Sequence, residues 1–336
     1  MDNFYNGTKL LNMVDIKGNR PEIYMTVGNR TGGKTTYFDR LSVNRFLKRG
    51  AQFLHLTRYK TDLTGCIDDF FNKISPFFDI EFTPKKYAGG KYWAIKNGEK
   101  IAGYFAAINS ADAIKRFSET FSHVGHIFID EFQSESFNYC PMEFEKFISI
   151  HTSVARGHGA PSRYVPVYMA SNPFDLLNPY FKYFKISGKI NENTHYLRGD
   201  GWVLEHLINE QAKNAQLGSA FNRAVAGRFT DYNILGKYTN NMCLIEKISG
   251  KSTYVATLNI NDSQYGVRIF DNKIYISNKI DKNFSGIYVT DYNATNDGIY
   301  LSRSSDLFVM LYTSLQLGKL FFDSIETKSN LFDILV

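Results

Sequence analysis

The chain has 336 residues, of which 43% are hydrophobic and 21% charged, and its formal net charge is +6 at pH 7. This length suits two domains, and the composition excludes a disordered, fibrous or membrane-embedded chain. The last hundred or so residues are close to neutral, so the basic excess lies in the preceding part, which is compatible with a polyanionic partner.

The cysteines and the first residues of the sequence indicate the cellular compartment in which the protein acts. Cys66, Cys140 and Cys243 are few, odd in number and widely spaced, which predicts a reducing compartment with neither disulfides nor a cysteine metal site. The start is polar, without a signal peptide, and no apolar run approaches the ~18–20 residues of a membrane span. We therefore expect a soluble intracellular protein with no membrane partner.

The first predicted strand and helix enclose a glycine-rich loop. Residues 23–27 are an apolar run typical of a buried strand, residues 37–47 have helical spacing, and the sequence between them fits G-x-x-x-x-G-K-[ST]. Backbone N–H groups of such a loop wrap a phosphate, and the helix N-terminus adds partial positive charge. Lys34 is expected to reach the β- and γ-phosphates during catalysis, and the Thr35 hydroxyl to bind Mg²⁺. The predicted nucleotide-binding residues are Gly28, Asn29, Arg30, Thr31, Gly32, Gly33, Lys34, Thr35 and Thr36.

Strands and helices continue to alternate up to about residue 197. Residues 52–57 predict a second buried strand, residues 61–81 a helix, residues 82–107 a lysine-rich hairpin and residues 165–170 a further strand. Strands that are apolar throughout and alternate with helices indicate an α/β fold with a parallel sheet covered on both faces.

A strand in the middle of this region ends in two acids, in the sequence I-F-I-D-E-F. Beside a phosphate loop, an Asp at a strand end holds Mg²⁺, and a following Glu polarises a water for attack on the γ-phosphorus. We therefore predict Asp130 as a metal ligand and Glu131 as the general base. Asn172, after the next strand, is a candidate nucleotide-binding residue that senses the γ-phosphate, although Ser171-Asn172 before Pro173 also fits a helix N-cap.

Two arginines follow the helix predicted over residues 142–154. Hydrolysis leaves charge on the γ-phosphoryl group, and an arginine finger from a neighbouring subunit that stabilises this charge is worth ~10³–10⁵ in rate. Arg156 and Arg163 both fit this role, and their spacing does not rank them.

Basic residues alternate with aromatic ones in Arg58-Tyr59-Lys60, along residues 84–104 and at Lys115-Arg116. Loops of this kind at the rim of a sheet contact the DNA backbone through its phosphates. Lys60 is the leading candidate, because it follows a strand end instead of lying on a helix face.

The pattern changes beyond residue 197. Residues 203–217 predict a lone amphipathic helix, and residues 198–240 a linker or small helical subdomain. From residue 241 short β runs lead to a helical tail that begins near Asp306.

Two alternative functions arise in this last part. The sequence Asn278-Lys279-Ile280-Asp281 matches a guanine-binding pattern and would suit a GTP-binding regulatory protein, but it lies far from the phosphate loop. Acids near strand ends would suit a metal nuclease, yet the first β run offers Thr257 and Asn259 where a nuclease needs an acid. These acids are Asp262, Asp271, Asp281 and Asp291.

Taken in order, the motifs resemble one family over nearly the whole chain. The chain resembles the DNA-packaging ATPases of small protein-primed podoviruses, the Salasviridae and their relatives, which are a branch of the large-terminase-like motors. The motifs that carry this resemblance are N-R-F-L-K-R-G-x-Q-F-L-H-L-T-R-Y-K, I-F-I-D-E-F, Tyr139-x-Pro141-x-Glu143, V-A-R and N-P-Y-F. The resemblance implies a P-loop additional-strand (ASCE, RecA-like) ATPase core over residues 1–197. It implies a helical linker over 198–240 and a vestigial RNase H-like nuclease domain over 241–336.

The resemblance also implies the partners and the reaction. It predicts an ATPase that uses ATP and Mg²⁺ to move double-stranded viral DNA into a procapsid, as a homo-oligomeric ring, thought to be pentameric. This ring would act in the host cytoplasm, transiently docked on the portal, in some members through a structural RNA. The alternative within this class is a terminase whose C-terminal domain still cuts DNA.

Individual residues follow from the same resemblance. It places the trans-acting finger at Arg156, and it places Lys60 and Arg58 at the DNA. A trans-acting lysine of the family falls nearest Lys115 or Arg116, and Thr57 departs from the family pattern, which has a second arginine there.

Overall fold

A computed structural model describes residues 5–30, 32–136, 138–156, 162–190, 194–224, 238, 244–260 and 263–335. The chain forms two compact units. The first comprises residues 1–183 and 190–239, and the second comprises residues 184–189 and 240–336. The chain therefore leaves the first unit, returns to it and leaves it again. None of the described helices is long and apolar enough to cross a membrane.

The first unit contains a nine-stranded sheet in its described part. The strands are β1 Ile23–Gly28, β2 Gln52–Thr57, β3 Thr83–Tyr87, β4 Tyr92–Asn97, β5 Lys100–Ala107, β6 Val124–Asp130, β7 Val167–Ser171, β8 Tyr196–Gly199 and β9 Trp202–Leu207. Their spatial order is β3-β4-β5-β2-β6-β7-β1-β9-β8. Strands β5, β2, β6, β7, β1 and β9 are paired in parallel, whereas β4, β3 and β8 join the two edges by antiparallel pairing. The prediction of an α/β fold with a parallel sheet is confirmed.

The helices of this unit connect the strands. They are α1 Thr8–Leu11, α2 Lys34–Arg49, α3 Leu63–Ile74, α4 Ala111–Arg116, α5 Glu143–Ala155, α6 Pro179–Tyr183, α7 Glu210–Leu217 and α8 Ala220–Ala224. The two ends of helix α2 are set by the glycines that flank it. It lies between two glycines in the left-handed region, Gly33 and Gly50, and the Gly50 N–H bonds the Phe46 carbonyl.

Aromatic side chains fill the space between α2 and the sheet. Phe38, on the buried face of α2, stacks on Tyr168 of β7 at a centroid distance of 5.3 Å and lies 5.3 Å from Phe128 of β6. Burial of such a ring stabilises the fold by roughly 1.5–3 kcal/mol. This packing fixes the start of α2 against the ends of β1, β6 and β7, where the candidate site lies.

The helix predicted over residues 203–217 is wrong in its first part. Residues 202–207 form β9, which pairs in parallel with β1, and the helix begins only at Glu210. A tight turn at Gly201, with a φ of 75°, folds β8 back onto β9. The spacing of Val203, Leu204 and Leu207 fits a helix, but the open edge of β1 offers backbone hydrogen bonds that a strand satisfies. Much of the predicted 198–240 linker, namely residues 225–237, 239 and 240, lies outside the described residues.

The second unit is built on a smaller mixed sheet. Its strands are β10 Thr253–Ile260, β11 Ser263–Phe270, β12 Lys273–Ser277, β13 Ile287–Val289, β14 Ile299–Tyr300 and β15 Leu320–Phe322, in the order β14-β13-β10-β11-β12-β15. Helices α9 Asp306–Gln316 and α10 Ile325–Leu335 contribute Leu311 and Leu331 to its core. The predicted β runs and helical tail are confirmed.

Candidate active site

The glycine-rich loop joins the carboxyl end of β1 to the first turn of α2. Gly33 has a φ of 81°, which favours glycine, and it caps the helix. At Gly28 a Cβ would lie 2.3 Å from the Leu207 carbonyl oxygen of β9, so the close approach of these strands needs a glycine. Thr31 lies outside the described residues. The sequence motif thus stands where a strand, a turn and a helix N-terminus meet.

Lys34 is held inside this loop. Its Nζ donates to the carbonyl oxygens of Gly28 and Asn29 at 2.8 and 2.9 Å, and to Asn172 Oδ1 at 3.4 Å. The side chain is buried, and desolvation lowers the pKa of Lys34 to about 8, against the opposing attraction of Asp130. A bound anion would offset that desolvation, because it stabilises the charged ammonium.

Thr35 and Asp130 meet across the cavity. The Thr35 hydroxyl donates to Asp130 Oδ1 at 3.1 Å. Burial raises the pKa of Asp130 to about 6, with a further increase from Glu131 that the charge of Lys73 opposes. A hydroxyl and a carboxylate are hard oxygen donors, so this pair fits Mg²⁺.

Glu131 follows directly in an unusual conformation. Its φ is 51°, a left-handed value that is uncommon outside glycine, and its side chain is exposed. The Glu131 N–H donates to Asp130 Oδ1 at 3.1 Å, while its carbonyl accepts a bond from Arg58. Backbone strain of this kind clusters at functional sites.

These groups line one cavity of about 500 Å³. Its lining residues are Arg30, Gly32, Gly33, Lys34, Thr35, Thr36, Lys73, Asp130, Glu131, Ser171 and Asn172. The structure therefore brings together residues from the loop, the β6 end and the β7 end that the sequence predicts separately. The Asn29 side chain instead bonds the backbone of residue 209 at 2.8 and 3.1 Å.

Sequence reasoning missed two residues here. Glu135 pairs with Arg30, and the Asn172 amide lies 3.4 Å from it. Lys73, from the last turn of α3, reaches the cavity and pairs with Asp69. Burial lowers the pKa of Lys73, but Asp69 and Asp130 outweigh it and raise the pKa overall. No motif marks these residues, since only the packing of α3 and of the segment after β6 brings them to the loop.

The two candidate fingers differ in their surroundings. Arg163 donates to the carbonyls of Val124, Phe121 and Val154, at 2.6, 3.4 and 2.8 Å, and so ties α5 to the start of β6. Arg156 is exposed at the end of α5.

Arg156 belongs to a second cavity, of about 490 Å³. The residues lining it are Lys115, Ser118, Glu145, Ile148, Ser149, Thr152, Ser153 and Arg156. Lys115 of α4 thus lies on the same surface as Arg156, and both side chains are exposed.

The two residues predicted to contact DNA, Arg58 and Lys60, also differ in their surroundings. Arg58 Nε donates to both carboxylate oxygens of the buried Glu143, and its Nη2 donates to the carbonyls of Glu131 and Phe132 at 3.1 and 3.0 Å. Only 14% of the Arg58 side chain is exposed. Lys60 is exposed, and its Nζ donates to the Gly89 carbonyl at 2.9 Å.

The second unit carries the residues of the alternative functions. Asn278 and Asp281 lie there, whereas the phosphate loop lies in the first unit. Asp271 is in the β11–β12 turn and Asp291 caps a short helix, while Asp262 is outside the described residues. Within the part of the chain that the structure describes, no group of three or more His, Cys, Asp or Glu is arranged to hold a metal. Cys66 and Cys140 are free thiols, and Cys243 is not described.

The fold and the site define a mixed α/β protein with a glycine-rich loop, a buried lysine and two acids at the carboxyl edge of a parallel sheet. Residues 1–335 match the model of the podovirus DNA encapsidation protein (Gp16) family. The chain belongs to this family.

Individual relatives cover most of the chain. The DNA packaging protein of Bacillus phage phi29 is 25% identical over 310 residues, which span 89% of this chain and 86% of that protein. The DNA packaging protein of Bacillus phage PZA is 25% identical over 308 residues, which span 90% of this chain and 84% of that protein.

Solved structures share the fold. A chain of the bacteriophage Phi-29 genome packaging motor assembly superposes with a TM-score of 0.68 at 22% identity, over 99% of this chain and 98% of that one. A chain of the Phi-28 gp11 DNA packaging motor superposes with a TM-score of 0.69 at 16% identity, over 100% of this chain and 98% of that one.

Proposed function

We propose that the chain is the ATPase subunit of a motor that moves double-stranded viral DNA into a procapsid. The observation that carries this proposal is the cavity in which Lys34, Thr35, Asp130 and Glu131 converge at the end of β1. Family membership supplies the packaging role, and the position of β7 between β1 and β6 supports an additional-strand P-loop core.

The residues of the cavity divide the work of hydrolysis. The phosphate loop binds the ATP phosphates through its N–H groups, and Lys34 turns from the loop carbonyls towards the β- and γ-phosphates. Thr35 and Asp130 would hold Mg²⁺, which neutralises phosphate charge when bound. Glu131 orients and deprotonates the attacking water, and Asn172, beside Lys34, senses the γ-phosphate.

A neighbouring subunit completes the site. Arg156, exposed at the end of α5, supplies the finger, and Lys115 on the same cavity acts with it, in preference to Arg116. Arg163 is held by three carbonyls and has a structural role. A finger acting in trans requires a ring, for which we propose five copies docked at the portal in the host cytoplasm, through a structural RNA where one is present.

DNA contact falls to Lys60, while Arg58 positions the segment that carries Glu131. Arg58 bonds the Glu131 carbonyl from within a buried network, and Lys60 is exposed. For the second unit we propose a vestigial RNase H-like role without cleavage. Its mixed sheet and the non-acidic centre of β10 support this assignment.

The test is the ATPase rate per subunit against protein concentration, for wild type, Arg156→Ala and Glu131→Gln. We expect the wild-type rate to rise with concentration, and Arg156→Ala to lower it by about 10³-fold, because a missing finger leaves the γ-phosphoryl charge unstabilised. Glu131→Gln should lower it by about 10²–10⁴-fold through loss of the base. Mixing the two variants should restore part of the rate, since one subunit then supplies the finger and the other the base.

The matched control is Arg116→Ala, which removes an exposed arginine one residue from Lys115. It should keep the wild-type rate. A rate that is flat with concentration, together with an unimpaired Arg156→Ala variant, would contradict the ring with a trans-acting finger.

A further inference from the structure

The hairpin of β3 and β4 ends in an unusual turn. Three consecutive residues are in the left-handed region, with φ values of 48° at Ala88, 65° at Gly89 and 80° at Gly90. Ala88 carries a Cβ, for which this region is uncommon. The turn brings the hairpin backbone up to the loop after β2, where Lys60 bonds the Gly89 carbonyl.

Two lysines from different elements meet over Gly90. A Cβ at this position would lie 2.4 Å from Lys86 Cε and 3.5 Å from Lys60 Cε. A Cβ would overlap Lys86, whereas its distance from Lys60 is an ordinary van der Waals contact, so glycine leaves room for Lys86 beside Lys60. Lys86 belongs to the edge strand β3, and its Nζ also lies over the Trp93 ring at 5.7 Å. The turn brings the ends of the Lys60 and Lys86 side chains to the same glycine.

The charge on this surface is not neutralised within the described chain. Lys60, Lys86 and Lys91 are exposed, and none of the ion pairs found among the described residues includes any of them. Two positive charges on neighbouring side chains repel each other, and an anion bound between them turns that repulsion into attraction. Ammonium groups act as point charges, which suits a phosphate better than a base edge.

We infer that Lys60 and Lys86 hold one phosphate of the DNA backbone between them, and that Gly90 leaves room for Lys86 beside Lys60. The inference rests on the proposed function, from which it takes the DNA at Lys60, and it adds a second side chain from the hairpin. The contact carries no sequence information, as a packaging motor requires.

Lys85 provides a matched control. It is the neighbour of Lys86 on β3 and is equally exposed, but successive side chains of a strand point to opposite faces. Lys85 Nζ lies over the ring of Tyr87 at 5.5 Å, and none of the three atoms nearest a Cβ at Gly90 belongs to Lys85. Lys85→Met and Lys86→Met therefore remove the same charge from the same strand, and only one of them touches the pair.

The experiment measures binding of the full chain to a labelled DNA duplex by fluorescence anisotropy, with Mg²⁺ and a non-hydrolysable ATP analogue, over a series of salt concentrations. The slope of log K against log salt counts the phosphates neutralised, at ~0.9 per phosphate. Lys86→Met and Lys60→Met should each reduce the magnitude of the slope measurably but by less than about 0.9, because the remaining lysine still neutralises part of the shared phosphate. The double variant should lose about 0.9 in total because the phosphate is shared. Lys86→Arg and Lys85→Met should keep the wild-type slope.

Each other outcome overturns part of the inference. A wild-type slope in Lys86→Met, or equal losses in Lys85→Met and Lys86→Met, would remove Lys86 from the DNA surface. A doubled loss in the double variant would mean two separate phosphates. Losses seen with an RNA duplex and not with DNA would assign the pair to RNA. If wild type binds DNA but both single variants keep its slope, only the lysine pair fails, whereas wild type without DNA binding would also contradict the proposed function.

Discussion

The carboxyl of Asp130 carries an electrostatic cost in the absence of a bound cation. Burial raises its pKa from 3.8 to about 6, and the neighbouring Glu131 adds to this shift. Between about pH 4 and pH 6 the folded protein holds a proton that the unfolded chain has released. Stability therefore falls as the pH rises through this window, and above about pH 6 the cost is fully present.

Asp130→Asn should consequently stabilise the nucleotide-free protein at pH 8, because the amide has the shape of the acid and no charge to desolvate. The shift of about 2 pKa units sets an upper limit of about 3 kcal/mol. Thermal unfolding is followed at pH 4 and pH 8 by tryptophan fluorescence, since Trp93 and Trp202 both lie in the first unit. The gain should disappear at pH 4. An exposed control, Asp68→Asn, should change little, and equal melting temperatures of wild type and Asp130→Asn at pH 8 would contradict the argument.

At the scale of elements, one buried network joins the end of β2 to the segment after β6 and to α5 and α6. Glu143, which is 2% exposed, accepts bonds from Arg58, from the Tyr180 hydroxyl at 2.8 Å and from the Cys140 N–H at 2.9 Å. Arg58 also donates hydrogen bonds to the carbonyls of Glu131 and Phe132, so the network includes the segment after β6. The position of the segment that carries Glu131 and Phe132 therefore depends on an ion pair between two other elements.

Glu143→Met should destabilise the first unit by about 3–5 kcal/mol, because it leaves the buried guanidinium of Arg58 without its partner. The double variant Arg58→Met, Glu143→Met should be less destabilised than Glu143→Met alone, since both charges are then removed. Denaturant unfolding followed by tryptophan fluorescence gives both values. Glu145→Met, an exposed change on the same helix, serves as the control. A double variant no more stable than Glu143→Met would show that the ion pair is not the source of the loss.

At the scale of the whole molecule, each of the two compact units is made of two separate stretches of the chain. Residues 184–189 interrupt the first unit and belong to the second, where a Cβ at Gly188 would lie 3.6 Å from Ile325 Cγ2. The buried Ile186 lies in this segment. All the residues that line the cavity of about 500 Å³ nevertheless lie in the first unit.

A chain of residues 1–239 should therefore bind an ATP analogue within about threefold of the full-length affinity, a difference below 1 kcal/mol. It should also aggregate, because Ile186 loses its packing partners, and Ile186→Ser should restore solubility in this shortened chain. Equilibrium binding and light scattering test the two statements. Weak binding by a soluble shortened chain would mean that the second unit contributes to the nucleotide site.

The sequence predicted those elements whose signals are local. The phosphate loop, the strand ending in Asp130-Glu131, the 82–107 hairpin and the short strands after residue 253 all combine a periodicity with a turn residue or a motif. It failed at residues 202–207, because helical spacing over six residues is ambiguous and the free edge of β1 decided the outcome. It also could not rank Arg156 and Arg163, since both follow the same helix.

The sequence by itself therefore determined the α/β class, the phosphate loop and the acids that face it, because strand order and motif spacing along the chain constrain them. Only the tertiary structure decided that Arg163 and Arg58 are held by internal partners, that Lys73 reaches the cavity, that Glu135 pairs with Arg30, and that Lys86 and Lys60 lie beside Gly90. These facts depend on which side chains from distant segments compete for the same hydrogen-bond acceptors and the same space. Such competition arises only when the sheet is assembled.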